Sequence, residues 1–124
     1  EPLEIFSDSF AGNDHPYSVG YKYAMAVMER LDQIDAALCT SDVFALVLWA
    51  ECKQRGIRVP EDLAIIGFDD IPFSQYIGLT TVRQPVQEMA KTAVQLLVEQ
   101  INSYPKYIAE NRIWDCPLII RTSA

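Results

Sequence analysis

The sequence predicts an α/β domain of three layers, in which helices cover both faces of a mostly parallel sheet. Apolar runs of strand length alternate with segments of helical periodicity, in the order strand, helix, strand, helix, strand, then strand, helix, strand. Half of the 124 residues are apolar, which is enough to form a packed core. The length allows one domain at most, so we expect residues 1–124 to form a single partial domain of a longer protein.

The first part of the chain predicts two pairs of a strand and a helix. Pro16 suits the first turn of a helix, because it has no amide hydrogen to satisfy there. Ser41 or Asp42 can accept the free amides at the start of the next helix, and Gly56 suits a left-handed residue at its end. The predicted elements are a strand over Leu3–Phe6, a helix over Tyr17–Leu31, a strand over Ala36–Thr40 and a helix over Val43–Arg55.

The second part predicts a buried strand, a strand rich in β-branched residues and a long helix. The run Leu63–Phe68 carries no charge, which is typical of a strand buried on both faces. Pro117 restricts part of the last extended segment to an edge or a bend. The predicted elements are a strand over Leu63–Phe68, a loop with one helical turn over Ile71–Gly78, a strand over Thr80–Gln84, a helix over Pro85–Ile101, a connection over Asn102–Glu110 and an extended segment over Ile113–Arg121.

The composition excludes several classes of partner. The net charge of -7 argues against direct binding to nucleic acid, which needs a basic face. No apolar run reaches the roughly 18 residues of a membrane span, and no signal peptide is visible. Cys39, Cys52 and Cys116 are widely spaced among apolar residues. We therefore expect buried, reduced thiols in the cytoplasm, with no metal or other cofactor.

The most informative feature is the pair Asp69–Asp70 at the end of the predicted buried strand. In open α/β sheets, ligands bind beyond the carboxyl ends of the strands. The residues alone leave four roles open: a general acid and base, a metal site, a site for the hydroxyl groups of a ligand, or caps of the following loop. Asp42 also follows a predicted strand, so it joins the same edge or serves only as a helix cap.

Three motifs resemble the LacI/GalR family of bacterial regulators, named after the lactose and galactose repressors. Gly56–Asp70 follows the pattern G-x-x-V-P-x-D, an apolar strand and then G-F-D; Leu79–Pro85 has the sequence L-T-T-V-R-Q-P; and Pro117–Ser123 is similar to the closing motif of the family. The resemblance implies a periplasmic-binding-protein-like lobe of type I, from the core that binds an effector and dimerises. It also implies that helix 86–101 and segment 102–112 belong to, or contact, an N-terminal lobe that is missing from this chain.

The resemblance also implies which carboxylates contact the effector. Asp69, the Asp of G-F-D, would hold hydroxyl groups of the effector, whereas Asp70 would brace the following loop. Ser41 and Asp42 stand where the family has a polar pair after an apolar strand. Ser41 replaces the Asn of many sugar-binding members, and Ser is shorter and has fewer donors.

Three further residues are candidates for the same cleft. Gln84 either lines the cleft or is an ordinary polar strand end. An aromatic residue in the first loop of the family stacks on the ring of the effector, and His15 or Tyr17 would do so here unless it simply packs on the surface. The complete set of predicted effector-binding residues is Asp69, Asp42, Ser41, Gln84, His15 and Tyr17.

The helix that begins at Val43 is apolar on every side for two turns. Such a helix is either wholly buried or partly covered by another chain. Members of the family pair through this helix, so the resemblance implies a homodimer. The predicted interface includes Val47, Leu48 and Trp49.

The sequence therefore predicts the ligand-sensing and dimerisation part of a bacterial transcription regulator, without catalytic activity. A small effector, a sugar or a related metabolite, would control operator binding by a helix-turn-helix domain absent from this chain. The same fold suits one lobe of an extracytoplasmic sugar-binding protein of a transporter. An enzyme or a phospho-receiver with an acidic pair is a third alternative, although the strand-ending Lys that a receiver requires is absent.

Overall fold

The computed structural model describes residues 16–106 and 110–124, which form two compact units. The elements are α1 (Pro16–Met28), a 3-10 helix (Leu31–Gln33), β1 (Ala36–Leu38), α2 (Asp42–Gln54), β2 (Ala64–Asp69), α3 (Ser74–Ile77), β3 (Thr80–Arg83), α4 (Val86–Ser103) and β4 (Leu118–Ile119). The first unit contains the described residues up to 83 together with 118–124, and the second lies within 84–117. The predicted strand Leu3–Phe6 falls outside the described residues.

The first unit is built on a sheet in which the described strands have the order β1-β2-β3-β4. β1 pairs with β2, and β2 with β3, in parallel; Ala37 lies opposite Ile65 and Gly67 lies opposite Thr81. β4 pairs antiparallel with β3 and follows Pro117 directly, which keeps it short and at the edge of the sheet. The prediction of an α/β fold with a mostly parallel sheet is confirmed.

Helix α2 packs on the sheet over β2, and α1 packs on α2. Gly20 lets the two helices approach closely, since a Cβ there would meet Phe44 at 3.2 Å and Val47 at 3.3 Å. Helix α1 and the sheet therefore cover α2 from different sides, which explains its all-round apolar character. The buried core consists of Ala24, Val27, Ala45, Leu48, Cys52, Leu63, Ile65 and Leu79.

The packing of α2 removes one residue, Leu48, from the predicted dimer interface and leaves Val47 and Trp49 partly exposed. Leu48 is 2% exposed and belongs to the core of its own chain, and the side chain of Val47 lies against Gly20 of α1. Trp49 is partly exposed and packs against the same core. Part of the apolar surface that the sequence predicts for a second chain is thus covered within this one.

Helix α1 and strand β2 differ from their local predictions. α1 ends at Met28 rather than near Leu31, because Arg30 leaves the helical conformation with φ -124° and begins the 3-10 turn. β2 is not buried on both faces: Ile65 and Gly67 are buried, whereas the residues between them and beyond are partly exposed. The predicted left-handed end of α2 is confirmed by Gly56, with φ 72°.

The cysteines are only partly as predicted. Cys52 is buried, and burial raises the pKa of its thiol. Cys39 is partly buried, and desolvation is the main cause that raises the pKa of its thiol to about 12. Cys116, by contrast, is exposed, because the segment around it is not covered by the described residues. Cys39 and Cys52 are therefore poor nucleophiles at neutral pH.

The second unit consists of α4 and the segment that leads to β4. The helix agrees with the predicted Pro85–Ile101 and extends to Ser103. Its apolar stripe is open in the described chain, with Val86, Val94, Leu97, Val98 and Ile101 between 49% and 67% exposed. A stripe of this size on one helix is unusual for a surface that faces only water.

Candidate functional site

The candidate site lies at the edge of the first unit where the parallel strands end, which we call the carboxyl edge. Ser41 and Asp42 follow β1, Asp69 ends β2 with Asp70 directly after it, and Arg83 ends β3. Parallel strands bring their carboxyl ends to one side of a sheet, so these charged and polar residues share one edge. The register places Asp69 opposite Arg83.

Ser41 begins α2 as its N-cap. Its φ of -153° and ψ of 157° are extended, and its Oγ accepts a hydrogen bond from the backbone N–H of Phe44 at 3.4 Å. This satisfies one of the free amides of the first turn. Of the two predicted caps, Ser41 fills the position, and its hydroxyl is half-buried at the carboxyl edge.

Asp42 lies inside the protein rather than on its surface. Its exposed fraction is 0%, and its two carboxylate oxygens accept three hydrogen bonds. Oδ2 accepts from the backbone N–H of Ile71 at 2.9 Å and from the Oγ of Ser74 at 2.5 Å, and Oδ1 accepts from the Oγ1 of Thr81 at 2.5 Å. The prediction that Asp42 contacts an effector directly is therefore corrected, because this carboxylate has no accessible surface and is already hydrogen-bonded.

Gly67 is the residue of β2 that makes room for this carboxylate. A Cβ at position 67 would overlap Oδ1 of Asp42 and would come within 3.0 Å of the Leu79 side chain. The glycine of the G-F-D motif is thus explained by close approach of a side chain and not by an unusual φ.

The backbone at the end of β2 is strained. Asp69 has φ 123° and Asp70 has φ 55°, values that non-glycine residues rarely adopt. Each such residue costs about 1–3 kcal/mol and persists only where surrounding contacts over-determine it. Strain of this kind concentrates at functional sites, and Asp69 is partly exposed at the carboxyl edge.

Asp70 is held by two arginines. Its side chain is 8% exposed, and its carboxylate accepts from the Nε of Arg83 at 2.5 Å and from the Nη2 of Arg121 at 2.7 Å. Desolvation by itself would raise the pKa of Asp70, but the hydrogen bonds with Arg121 and Arg83 outweigh it and lower that pKa. Asp70 therefore braces the turn after β2 against β3 and the C-terminal segment, as the resemblance implies.

The partners of the two buried carboxylates were not predicted from the sequence. Arg83 and Arg121 hold Asp70, while Ser74 and Thr81 hold Asp42. One signal could have found Thr81: it stands in a short β-branched strand, and a hydroxyl buried in a strand needs a hydrogen-bond partner. The arginines carry no comparable signal.

The other three predicted site residues are Gln84, Tyr17 and His15, and the structure describes the last two only in part or not at all. Gln84 directly follows β3 and is the first residue of the second unit. Tyr17 lies in the first turn of α1, but its side chain is not among those described, and His15 falls outside the described residues. The structure thus brings together the turn after Asp69, Ser41 and the buried Asp42, and leaves the other three as predictions.

Other parts of the resembling motifs have structural roles. Asp62 closes the turn before β2, since its carboxylate accepts from the backbone N–H and from the guanidinium of Arg58. These bonds, led by the side-chain bond from Arg58, lower the pKa of Asp62 to about 2. Ser123 joins β2 to β3 at their other end: its Oγ accepts from the N–H of Thr80 at 2.8 Å and donates to the carbonyl of Ile65 at 2.6 Å.

The second unit has a shallow cavity of about 270 Å³. None of the predicted site residues lines it, and its Arg112 forms an exposed ion pair with Glu110. The residues that line it are Thr92, Gln95, Leu96, Glu99, Arg112 and Trp114. We place the candidate site at the carboxyl edge of the first unit, where buried carboxylates and a strained turn occur together, and not in this open cavity.

Among the described residues, no cluster of His, Cys, Asp and Glu could hold a metal ion. No helix of the described ranges is long and apolar enough to cross a membrane. The chemistry that the carboxyl edge offers is hydrogen bonding: a carboxylate accepts up to four hydrogen bonds and pairs well with neighbouring hydroxyl groups of a ligand.

This chain is similar to known proteins in sequence and in fold. Residues 4–124 match the family of periplasmic binding protein-like domains. The HTH-type transcriptional repressor CytR of Escherichia coli strain K12 is 37% identical over 116 residues, which are 91% of this chain and 33% of the repressor. The chain thus spans about a third of the length of this curated relative, and less of the PurR repressor from Aliivibrio salmonicida.

Two solved structures of similar fold are transcription regulators. The complex of the transcriptional regulator CelR with cellobiose has a TM-score of 0.79 at 28% identity, covering 90% of this chain and 34% of that chain. A LacI family transcriptional regulator from Enterococcus faecium with bound ribose has a TM-score of 0.75 at 28% identity, covering 86% and 40%. The resemblance found in the motifs is confirmed. The chain belongs to the periplasmic binding protein-like domain family, and it corresponds to part of the effector-binding core of LacI-type transcription regulators.

Proposed function

We propose that this chain is part of the ligand-sensing core of a bacterial transcription regulator, and that its effector is a neutral, hydroxylated small molecule. The observation that carries the proposal is the position of Asp69, a partly exposed carboxylate on a strained turn at the carboxyl edge of parallel strands. Such a carboxylate accepts hydrogen bonds from neighbouring hydroxyl groups. Sugars and nucleosides both present such pairs.

The names of the relatives support regulation rather than transport. CytR and PurR are repressors, and two structural neighbours are regulators with bound cellobiose or ribose. The proposal therefore includes operator binding by a helix-turn-helix domain outside this chain, a cytoplasmic location and no catalytic reaction. An effector would act by binding one arrangement of the full protein more tightly than the other.

Four other residues belong to the proposed site. Ser41 offers a half-buried hydroxyl at the same edge, and Gln84, His15 and Tyr17 are proposed to complete the cleft. Asp42 is left out as a direct contact because it has no accessible surface.

Two features of the full protein are also proposed. The first is a further lobe that helix 86–101 and segment 102–112 contact or belong to, supported by the open apolar stripe of α4. The second is a homodimer, for which the partly exposed Val47 and Trp49 remain proposed interface residues and the buried Leu48 does not. Sedimentation of the full-length protein checks the second feature, and a monomer at micromolar concentration would contradict it.

Calorimetry on the full-length protein tests the effector. The panel consists of ribose, glucose, cellobiose and the four common ribonucleosides, and any binder is then added to an operator-binding assay. We expect one panel member to bind and to change operator affinity. We also expect Asp69→Asn to weaken that binding by about tenfold or more, since the amide replaces an acceptor by a donor.

The matched control is Asp32→Asn, which changes an exposed Asp on the 3-10 helix. It should leave the dissociation constant within about twofold. A protein that binds no panel member, or one whose binder leaves operator affinity unchanged, would contradict the proposed function.

A further inference from the structure

We propose that Asp42 is a positioning residue for effector binding: from inside the protein, it fixes the turn that presents Asp69. This inference rests on the proposed function, in which Asp69 contacts the effector. It assigns Asp42 a role different from direct contact, and it predicts that effector affinity depends on a carboxylate that the effector never touches.

Asp42 joins three separate segments through one carboxylate. It stands in the first turn of α2 and accepts from the Ile71 N–H in the turn after β2, from Ser74 in α3 and from Thr81 in β3. Ile71 follows Asp69 by two positions, so its amide belongs to the same turn. The turn is therefore tied to the helix behind it and to the neighbouring strand at the same time.

The turn needs such a tie because its backbone is strained. Asp69 and Asp70 both have positive φ, and neither is a glycine. A free turn of this sequence would populate conformations of lower strain, in which the Asp69 carboxylate points elsewhere. The bonds of Asp42 oppose this change, because releasing the turn would leave the buried Asp42 carboxylate without the Ile71 amide.

Burial makes this tie stronger than the ion pair of Asp70 with Arg83. Asp42, Ser74 and Thr81 are each 0% exposed, so water does not compete for their hydrogen bonds. Arg83, by contrast, is 54% exposed at its side chain, and its pair with Asp70 is screened. Gly67 completes the arrangement, since only a residue without a side chain lets the carboxylate lie against β2.

The effect on affinity follows from the fraction of molecules in which the turn has the binding conformation. If only a fraction of molecules holds the turn in the binding conformation, the apparent dissociation constant rises by the inverse of that fraction. Loss of the Asp42 bonds lowers the fraction without removing any contact to the effector. A positioning role for Asp42 therefore predicts that its loss weakens effector binding and raises the fraction of molecules in which the turn is open.

The test uses four variants of the full-length protein. Asp42→Asn leaves a single acceptor oxygen, so either Ile71 and Ser74 on one side or Thr81 on the other face an NH2 donor instead. Thr81→Val removes the hydroxyl at nearly constant volume, and Thr81→Ser restores it. Ser123→Ala is the matched control, because Ser123 is equally buried and also bridges β2 and β3, but at the other end of the strands.

Two quantities are measured. One is the dissociation constant of the panel member that the wild-type protein binds most tightly, by calorimetry. The other is the hydrogen-exchange rate of the Ile71 amide, which needs no ligand. We expect Asp42→Asn and Thr81→Val to raise both by about tenfold, and Thr81→Ser and Ser123→Ala to change both by less than about threefold.

The outcomes separate this inference from the proposed function. If Asp69→Asn weakens binding but Asp42→Asn and Ser123→Ala bind alike, the proposed function stands and the inference fails. If no panel member binds the wild-type protein, the proposed function fails, and the exchange rate of Ile71 still decides whether Asp42 fixes the turn. Should Asp42→Asn fail to fold, the Thr81→Val and Thr81→Ser pair gives the same decision.

Discussion

Gly67 is the residue whose substitution gives the most direct test of the packing around Asp42. A methyl group there would overlap the Asp42 carboxylate and press on Leu79, and neither neighbour is exposed. We expect Gly67→Ala to lower the free energy of unfolding by about 1–3 kcal/mol, as overpacking of a filled core does. Urea unfolding of the two proteins measures the difference.

Gly56→Asn is the control for that substitution. Gly56 has φ 72° and no atom within 4 Å of an added Cβ, and Asn tolerates the left-handed conformation better than other side chains. The loss there should stay below about 1 kcal/mol. An equal or smaller loss at Gly67 would mean that β2 can shift away from Asp42.

Asp70 makes the free energy of unfolding depend on pH, and the lowered pKa of its carboxyl sets the sign of that dependence. Its pKa in the folded protein lies below the ordinary value of 3.8, so the folded state favours the charged form. This contribution is present above the ordinary pKa and is lost as the pH falls through the folded pKa. We expect Asp70→Asn to lower the unfolding free energy at neutral pH by about 1–3 kcal/mol, with the exposed Arg83 supplying the smaller share.

Urea unfolding at several pH values, from about 7 down to about 3, checks this sign. The difference between the wild-type protein and Asp70→Asn should shrink below about pH 4, because the wild-type carboxyl then becomes protonated. Glu29→Gln, a change at an exposed position directly after α1, serves as the control for general charge effects. A difference that grows with acidity would contradict the role of Asp70.

At the residue scale, the sequence predicts which side chains carry charge at the edge but not how they are paired. Asp69, Asp70 and Asp42 are found because strand ends can be predicted from apolar runs. The partners of Asp42 lie 29 to 39 positions away, and Arg121 lies 51 positions from Asp70. Pairings over such distances depend on the folded structure, so Asp42 could not be recognised as a buried residue from its local sequence.

At the element scale, the start of α2 gives a second stability prediction. Ser41 caps this helix through its hydroxyl, and Asp42 in the same turn depends on the helix for its position. We expect Ser41→Ala to lower the unfolding free energy by about 1 kcal/mol. Ser41→Thr should retain most of the stability that the cap contributes, because the acceptor oxygen remains. Thermal or urea unfolding distinguishes the two, and equal losses would argue against the cap.

The sequence predicts where helices and strands begin and end more reliably than it predicts which surfaces pack against them. The glycine after α2 and the proline before β4 mark where those elements end or begin, since both restrict the backbone locally. The apolar surface of α2 is a different case, because an apolar residue contacts its own chain or another one equally well. Only the packed structure shows that Leu48 is internal and that Val47 lies partly against Gly20 of α1.

At the scale of the whole molecule, the two units differ in how completely they bury apolar surface. The first has a continuous core between α1, α2 and the sheet. The second has a long amphipathic helix without a buried residue, although its apolar side chains recur at helical spacing. The relative CytR is about three times as long as this chain, and we propose that additional chain of the full-length protein covers this stripe.

Leu97 lies within this stripe and tests the proposal in the full-length protein. It is 55% exposed in the described chain, between Val94 and Ile101, which are still more exposed. If a further lobe covers the stripe, Leu97→Ala should lower the unfolding free energy by about 2–5 kcal/mol, as truncation of a buried leucine does. On an exposed helix face the same change stays within about 0.5 kcal/mol. Gln100→Ala, an exposed polar position on the same helix, is the control and should change little in either case. Equal, small effects at Leu97 and Gln100 in the full-length protein would mean that α4 faces water there, and the lobe would then have to contact the chain elsewhere.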